Sequence, residues 1–120
     1  MITGNDLQEM VNAYMECARW SSSDGDYDIL DEFEFAEGEE IEAMKDCKAF
    51  VDNNISLVKE YMQSNTFEQL GHDLWLTRNE HGAGFWDRDL GGLGEELTVA
   101  AEWIGHKDVF VNDEKELEFL

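Results

Sequence analysis

Apolar residues recur every three or four positions along most of the chain, the period of helices packed on one side. Over residues 5–20, Leu7, Met10, Val11, Tyr14, Cys17 and Ala18 form such a stripe, and Asn5 with Gln8 has the spacing of a capping box. The run Ser21-Ser22-Ser23-Asp24-Gly25 ends it. Residues 24–38 mix carboxylates with aromatics and predict a loop with at most a short helical turn. A longer helical pattern covers 39–63, where Ile41, Met44, Cys47, Val51, Ile55, Val58 and Met62 step by three or four. Thr66 and Gln69 can cap a third helix running to about Asn79, with Phe67, Leu70, Leu74 and Trp75 inward and Gly82 as terminator. A fourth covers roughly 93–104, with Leu93, Leu97, Ala100, Ala101 and Ile104 inward and Gly105 after it.

The period then changes. Asp108-Val109-Phe110-Val111, a polar turn at 112–115 and Glu116-Leu117-Glu118-Phe119-Leu120 predict a terminal hairpin. Alternation turns Leu117 and Phe119 inward and Glu116 and Glu118 outward. The free edge of this hairpin can pair with another copy or a partner. The expected fold is mainly α (α+β), about four helices in one domain spanning 1–120 with a short C-terminal β-hairpin.

Composition supports a folded chain. Its 120 residues are 42% hydrophobic and 12% aromatic, enough for one core and far from the profile of a disordered segment. There is no proline, linker or internal repeat. No apolar run approaches the length of a membrane span, and the first residues, MITGNDLQEM, lack the basic and apolar regions of a secretory signal. A cytoplasmic protein that does not engage membranes is expected. Cys17 and Cys47 have no metal-type spacing and fall on apolar helix faces, which predicts free buried thiols.

Charge changes the picture most. Twenty-nine acidic residues against eight basic ones give a net charge of −21. Such a chain repels nucleic acid and anionic membrane surfaces and is steered toward basic ones. Solubility, adaptation to high salt and mimicry of a polyanion each account for an excess of this kind. The densest array is Asp24, Asp26, Asp28, Asp31, Glu32, Glu34, Glu37, Glu39, Glu40, Glu42 and Asp46, interrupted by one base, Lys45. Carboxylates three or four apart on a helix stand about 5–6 Å from one another, comparable to neighbouring phosphates along a nucleic-acid strand. A second acidic group, Asp108, Asp113, Glu114, Glu116 and Glu118, lies at the end of the chain against two bases, Lys107 and Lys115.

Residues 71–88, GHDLWLTRNEHGAGFWDR, gather histidine, tryptophan, glycine and arginine in an otherwise acidic chain. The matching positions are His72, Asp73, Trp75, Leu76, Thr77, Arg78, Asn79, His81, Gly82, Ala83, Gly84, Phe85, Trp86, Asp87 and Arg88. This stretch resembles one in small proteins of bacteriophages and related mobile elements, H-D-F-W-L-T-R-N-G-H-G-A-G-F-W-D-R, followed by Gly-Leu-Gly and a helix. Leu74 and Glu80 depart from that pattern, which has Phe and Gly there. The likeness extends over residues 66–111 and implies a phage origin and an intracellular role during infection. It assigns no catalytic residues.

Read by their chemistry, these residues allow two uses. His72, Asp73, His81 and Asp87 are suitable metal ligands or acid–base groups, which defines a metal-dependent enzyme as one alternative. No HExxH spacing, activated nucleophile or phosphate-binding loop accompanies them. The structural use is stronger. Gly82 and Gly84 permit unusual backbone angles, Asp87 and Arg88 can pair with Arg78 and Asp73, and Trp75, Phe85 and Trp86 can fill a core. His72, Asn79 and His81 complete this scaffold motif. The expected activity is therefore carried by the carboxylates of 24–46. They define a non-enzymatic inhibitor, without cofactor, that occupies the nucleic-acid groove of a basic host complex such as a CRISPR effector or restriction enzyme. It contacts no nucleic acid itself, and it is a monomer or homodimer. A phage adaptor that binds a basic protein irrespective of DNA is the other alternative.

Overall fold

The computed structural model describes residues 2–21, 34–79, 84–85 and 91–119. Within them run helices α1 (Gly4–Ser21), α2 (Glu39–Asn53), α3 (Ile55–Tyr61), α4 (Phe67–Arg78) and α5 (Gly92–Trp103), then strands β1 (Val109–Val111) and β2 (Leu117–Phe119). The mainly α architecture with a terminal hairpin is the one the hydrophobic pattern predicts.

The period-3.6 stripe of α1 is its buried face: Met10, Val11, Tyr14, Cys17 and Ala18 are all inaccessible to solvent. Its cap differs from the expected Asn5–Gln8 pair. Asp6 N–H donates to Thr3 Oγ1 at 3.1 Å, and Thr3 N–H donates to the Asp6 carboxylate at 2.9 Å. Gln8 instead donates to Asn12 and to Glu40, at 2.8 and 2.7 Å, which ties α1 to α2. The predicted capping box of α4 is present, with Thr66 and Gln69 bonded reciprocally. α4 lies along α1 closely enough that a Cβ on Gly71 would run into the Met10 carbonyl.

The pattern over 39–63 reads as one helix, but the fold breaks it at Asn54. There φ is −135° and the backbone N–H turns to the Val51 carbonyl, while the side-chain amide donates to the Phe50 carbonyl at 2.9 Å. Side-chain bonding of this kind competes with the helical ladder. The inward face is consequently Ala43, Cys47, Phe50 and Val51 on α2, then Val58 and Tyr61 on α3. Ile41 and Ile55, expected inside, are 62% and 41% exposed.

Aromatic rings join the layers. Trp75 meets Tyr14 edge-on at 5.2 Å, and Phe119 reaches both. Phe85 stacks on Phe50 at 6.0 Å and meets Tyr61 edge-on at 5.5 Å. Cys17 and Cys47 are buried, as expected, and burial pushes the Cys47 thiol far above its ordinary pKa.

The hairpin pairs Val109 with Phe119 and Val111 with Leu117, antiparallel, and Asn112 organises its turn by accepting from the N–H groups of Glu114 and Glu116. Leu117 is fully buried. The second edge of β2 is also engaged: Leu117 N–H donates to the Glu34 carbonyl at 2.9 Å, and Ala36 N–H donates to the Leu117 carbonyl at 2.8 Å. Phe35 stacks on Phe119 at 5.0 Å. Residues 34–36, where hydropathy predicts loop, are therefore an extended segment fixed against the hairpin. Among the described residues no helix is long and apolar enough to cross a membrane.

Candidate functional site

The parallel bridge between Phe35 and Leu117 places two acidic segments side by side, although they lie far apart in sequence. Between them is a concavity of about 630 Å³ lined by Ala36, Glu37, Glu39, Asn112, Asp113, Glu114, Glu116 and Glu118. Among the described residues, six carboxylates and no cation contribute to that lining. Alternation along β2 turns Leu117 into the core and leaves Glu116 and Glu118 on the concave side. Glu39 accepts from Phe119 N–H at 3.0 Å, pinning the start of α2 to β2. Glu118 accepts from the Asn112 amide at 2.7 Å. Glu37, Asp113 and Glu114 are exposed. Like charges gathered this way oppose folding. Main-chain bonds and the buried Leu117 hold them together nonetheless. The favourable term is local, because Glu39, Glu40 and Glu42 occupy the first turn of α2, where the helix dipole welcomes anions.

Not every carboxylate of the predicted array belongs to this face. Asp24, Asp26, Asp28, Asp31 and Glu32 lie outside the described residues. Glu34 is exposed and 3.8 Å from Arg19. Glu40 is bonded to Gln8, and Glu42 approaches Lys45 and Lys107 at 3.7 and 3.9 Å. Asp46, which the sequence groups with the surface array, is turned inward. It accepts from Arg78 Nη1 and Lys107 Nζ, both at 2.8 Å, and from the Tyr14 hydroxyl at 3.4 Å. Burial acts to raise its pKa, but hydrogen bonds from Lys107 and Arg78, with their charges, outweigh it and hold the carboxyl below its ordinary value. Asp46 is thus an internal counter-ion and not part of a binding surface.

The described part of the 71–88 motif is built into the core. Trp75 is fully buried. Asp73 is buried and accepts from the Tyr61 hydroxyl at 2.6 Å. His72 is half-buried, and its carbonyl faces the Cys17 thiol at 3.8 Å. Arg78 donates to Tyr14 and Asp46, and to the Gly105 and Ile104 carbonyls at 2.8 and 3.3 Å, closing the C-terminal end of α5. Asn79 donates to the Trp75 carbonyl and accepts from Lys107 N–H at 2.8 Å. Gly84, at φ 136°, brings its Cα against the Thr77 side chain, so that Phe85 N–H donates to Thr77 Oγ1 at 3.2 Å. His81, Gly82, Trp86, Asp87 and Arg88 lie outside the described residues, so the expected Asp87 and Arg88 pairs lie there too. The carboxylate meeting Arg78 among the described residues is Asp46. No group of three His, Cys, Asp or Glu side chains among the described residues is placed to hold a metal.

Tyr14 belongs to the predicted stripe of α1, but hydropathy gives no sign that its hydroxyl bridges Arg78 and Asp46, that Lys107 pairs with Asp46 or that Phe35 joins the hairpin. Lys107 carries a signal: in a chain with eight bases for twenty-nine acids, a base just past a helix end has a carboxylate to meet. The chain matches no known protein family, no curated protein and no solved structure.

Proposed function

We propose that the protein is a non-enzymatic inhibitor of phage type, whose carboxylate-lined concavity occupies the nucleic-acid groove of a basic host defence complex. The observation that carries this reading is the convergence of Glu37 and Glu39 with Asp113, Glu114, Glu116 and Glu118 on one concavity, whose lining among the described residues includes no cation. A groove that binds nucleic acid presents arginine and lysine at the spacing of phosphates. Glu116 and Glu118, two residues apart on a strand, stand about 6.8 Å apart along it. A volume of about 630 Å³ admits several guanidinium or ammonium groups at once, as a protein groove supplies and a single ion does not. The resemblance of residues 71–88 to phage proteins supports the setting, the host cell cytoplasm.

The test is charge reversal on the rim of the concavity: Glu37→Lys, Glu114→Lys and Glu116→Lys together. Glu39 and Asp46 are left intact because they hold Phe119 and Arg78. The variant is expected to keep its fold and lose both capture of the host complex and inhibition. Undiminished inhibition by a folded variant contradicts the proposal.

A further inference from the structure

On α5 the chain exposes what a soluble surface ordinarily covers. Trp103 is 88% exposed and Val99, one turn earlier on the same side of α5, is 67% exposed. They flank a groove of about 380 Å³ between α5 and the α2–α3 junction, with Phe50, Leu57, Ala100 and Ile104 also in its wall. Ile55, beside the groove residue Asn54, is itself 41% exposed. Single exposed apolar residues are ordinary. A tryptophan and a valine one turn apart, continuous with an apolar groove, form a patch of the kind that marks a binding surface.

The rim identifies the occupant. Glu96 lines the groove, and Glu95 and Glu102 stand exposed on α5, four residues before and three after Val99. Glu60 lies three residues beyond Leu57 on α3, whose one base is Lys59. A second copy of this chain is a poor fit, because it brings another −21 charge against the first. The patch is also small. One tryptophan contributes about 200 Å², whereas stable protein pairs bury about 800 Å² per partner. A narrow groove between two helices with an acidic rim fits a helix that is apolar on one side and basic on its flanks.

We propose that the α3–α5 groove is a docking site for a basic amphipathic helix of a partner protein. Trp103 is its central contact, Val99 and Leu57 take the neighbouring apolar residues, and Glu96 and Glu102 meet the flanking lysines or arginines. The groove shares no lining residue with the acidic concavity, so the two proposals stand separately.

The probe is a Leu/Lys amphipathic helical peptide of about 14 residues, about 21 Å long. Its scrambled isomer of identical charge is the control. Both are titrated calorimetrically into the wild-type chain, into Trp103→Gln, into Trp103→Ala with Val99→Ser, and into Glu37→Gln with Glu114→Gln and Glu116→Gln. Because both groove side chains are exposed, the fold should survive, and Trp103→Gln keeps the test open if the double variant does not fold. The groove variants are expected to weaken the amphipathic peptide by about tenfold. The scrambled isomer should bind the wild-type chain weakly, and the acidic-face variant should bind the amphipathic peptide about as wild type does. Equal binding of both peptides, or wild-type affinity in the groove variants, overturns the proposal. Self-association in sedimentation that Trp103→Gln abolishes assigns the groove to a second copy and overturns it as well. The acidic-face reading is judged by capture of the host complex, so its failure is distinct.

Discussion

Arg78 shows how a chain dominated by carboxylates uses a scarce base. Its guanidinium is buried, and its fork is spent on Asp46, the Tyr14 hydroxyl and the two carbonyls that end α5. Burial raises the Tyr14 pKa well above its ordinary value, so the phenol stays protonated and bridges Arg78 to Asp46. Arg78→Met is expected to cost about 1–3 kcal/mol in urea unfolding, because it leaves two carbonyls without their donor and Asp46 with Lys107 alone. Arg78→Lys should recover only part of that, since an ammonium lacks the planar fork. Asp46 gives a pH test. Its folded pKa is depressed, so its contribution is complete above the unfolded value and is lost as pH falls through the folded one. Asp46→Asn should therefore destabilise by about 2 kcal/mol at pH 7. The gap from wild type should begin to narrow below about pH 4, the unfolded value, and close only below the folded one. The motif suggested a carboxylate partner for Arg78 in Asp87, which lies outside the described residues. Asp46 was not legible as a partner, because it lies 32 residues away and depends on how α2 and α4 pack.

Among the elements, α1 and α4 are the pair most legible in the sequence, α1 from its apolar stripe and α4 from its capping box. Their closeness is what the period does not show. Gly71 sits where a side chain would meet the Met10 carbonyl, so Gly71→Ala should force the helices apart and cost about 1–3 kcal/mol in thermal or urea unfolding. The helix break at Asn54 was hidden because period-3.6 spacing continues across it. The signal was the asparagine itself, whose amide can bond the preceding turn. The extended segment at 34–36 was hidden for another reason. Its pairing is main chain to main chain with a strand some 80 residues later, and three residues carry no alternation to detect.

At the scale of the whole molecule, the charge of −21 was plain from composition, but its distribution was not. The acidic run at 24–46 looked like the binding array. The fold instead divides it: Asp46 goes inward, Glu39 and Glu40 become bonds between elements, and Glu37 and Glu39 join the carboxylates of the hairpin. Repulsion among these groups predicts opposite responses to salt. Screening shortens from about 30 Å at 0.01 M to about 3 Å at 1 M. The urea midpoint of the isolated protein should therefore rise with sodium chloride, while its affinity for a cationic partner should fall steeply. The most direct test of the central claim is capture of host proteins on the immobilised wild-type chain, followed by elution with duplex DNA at fixed ionic strength. The account predicts release of a nucleic-acid-binding complex, and no capture of it by the Glu37→Lys, Glu114→Lys, Glu116→Lys chain. Retention of the complex in saturating DNA, or equal capture by the reversed chain, contradicts it.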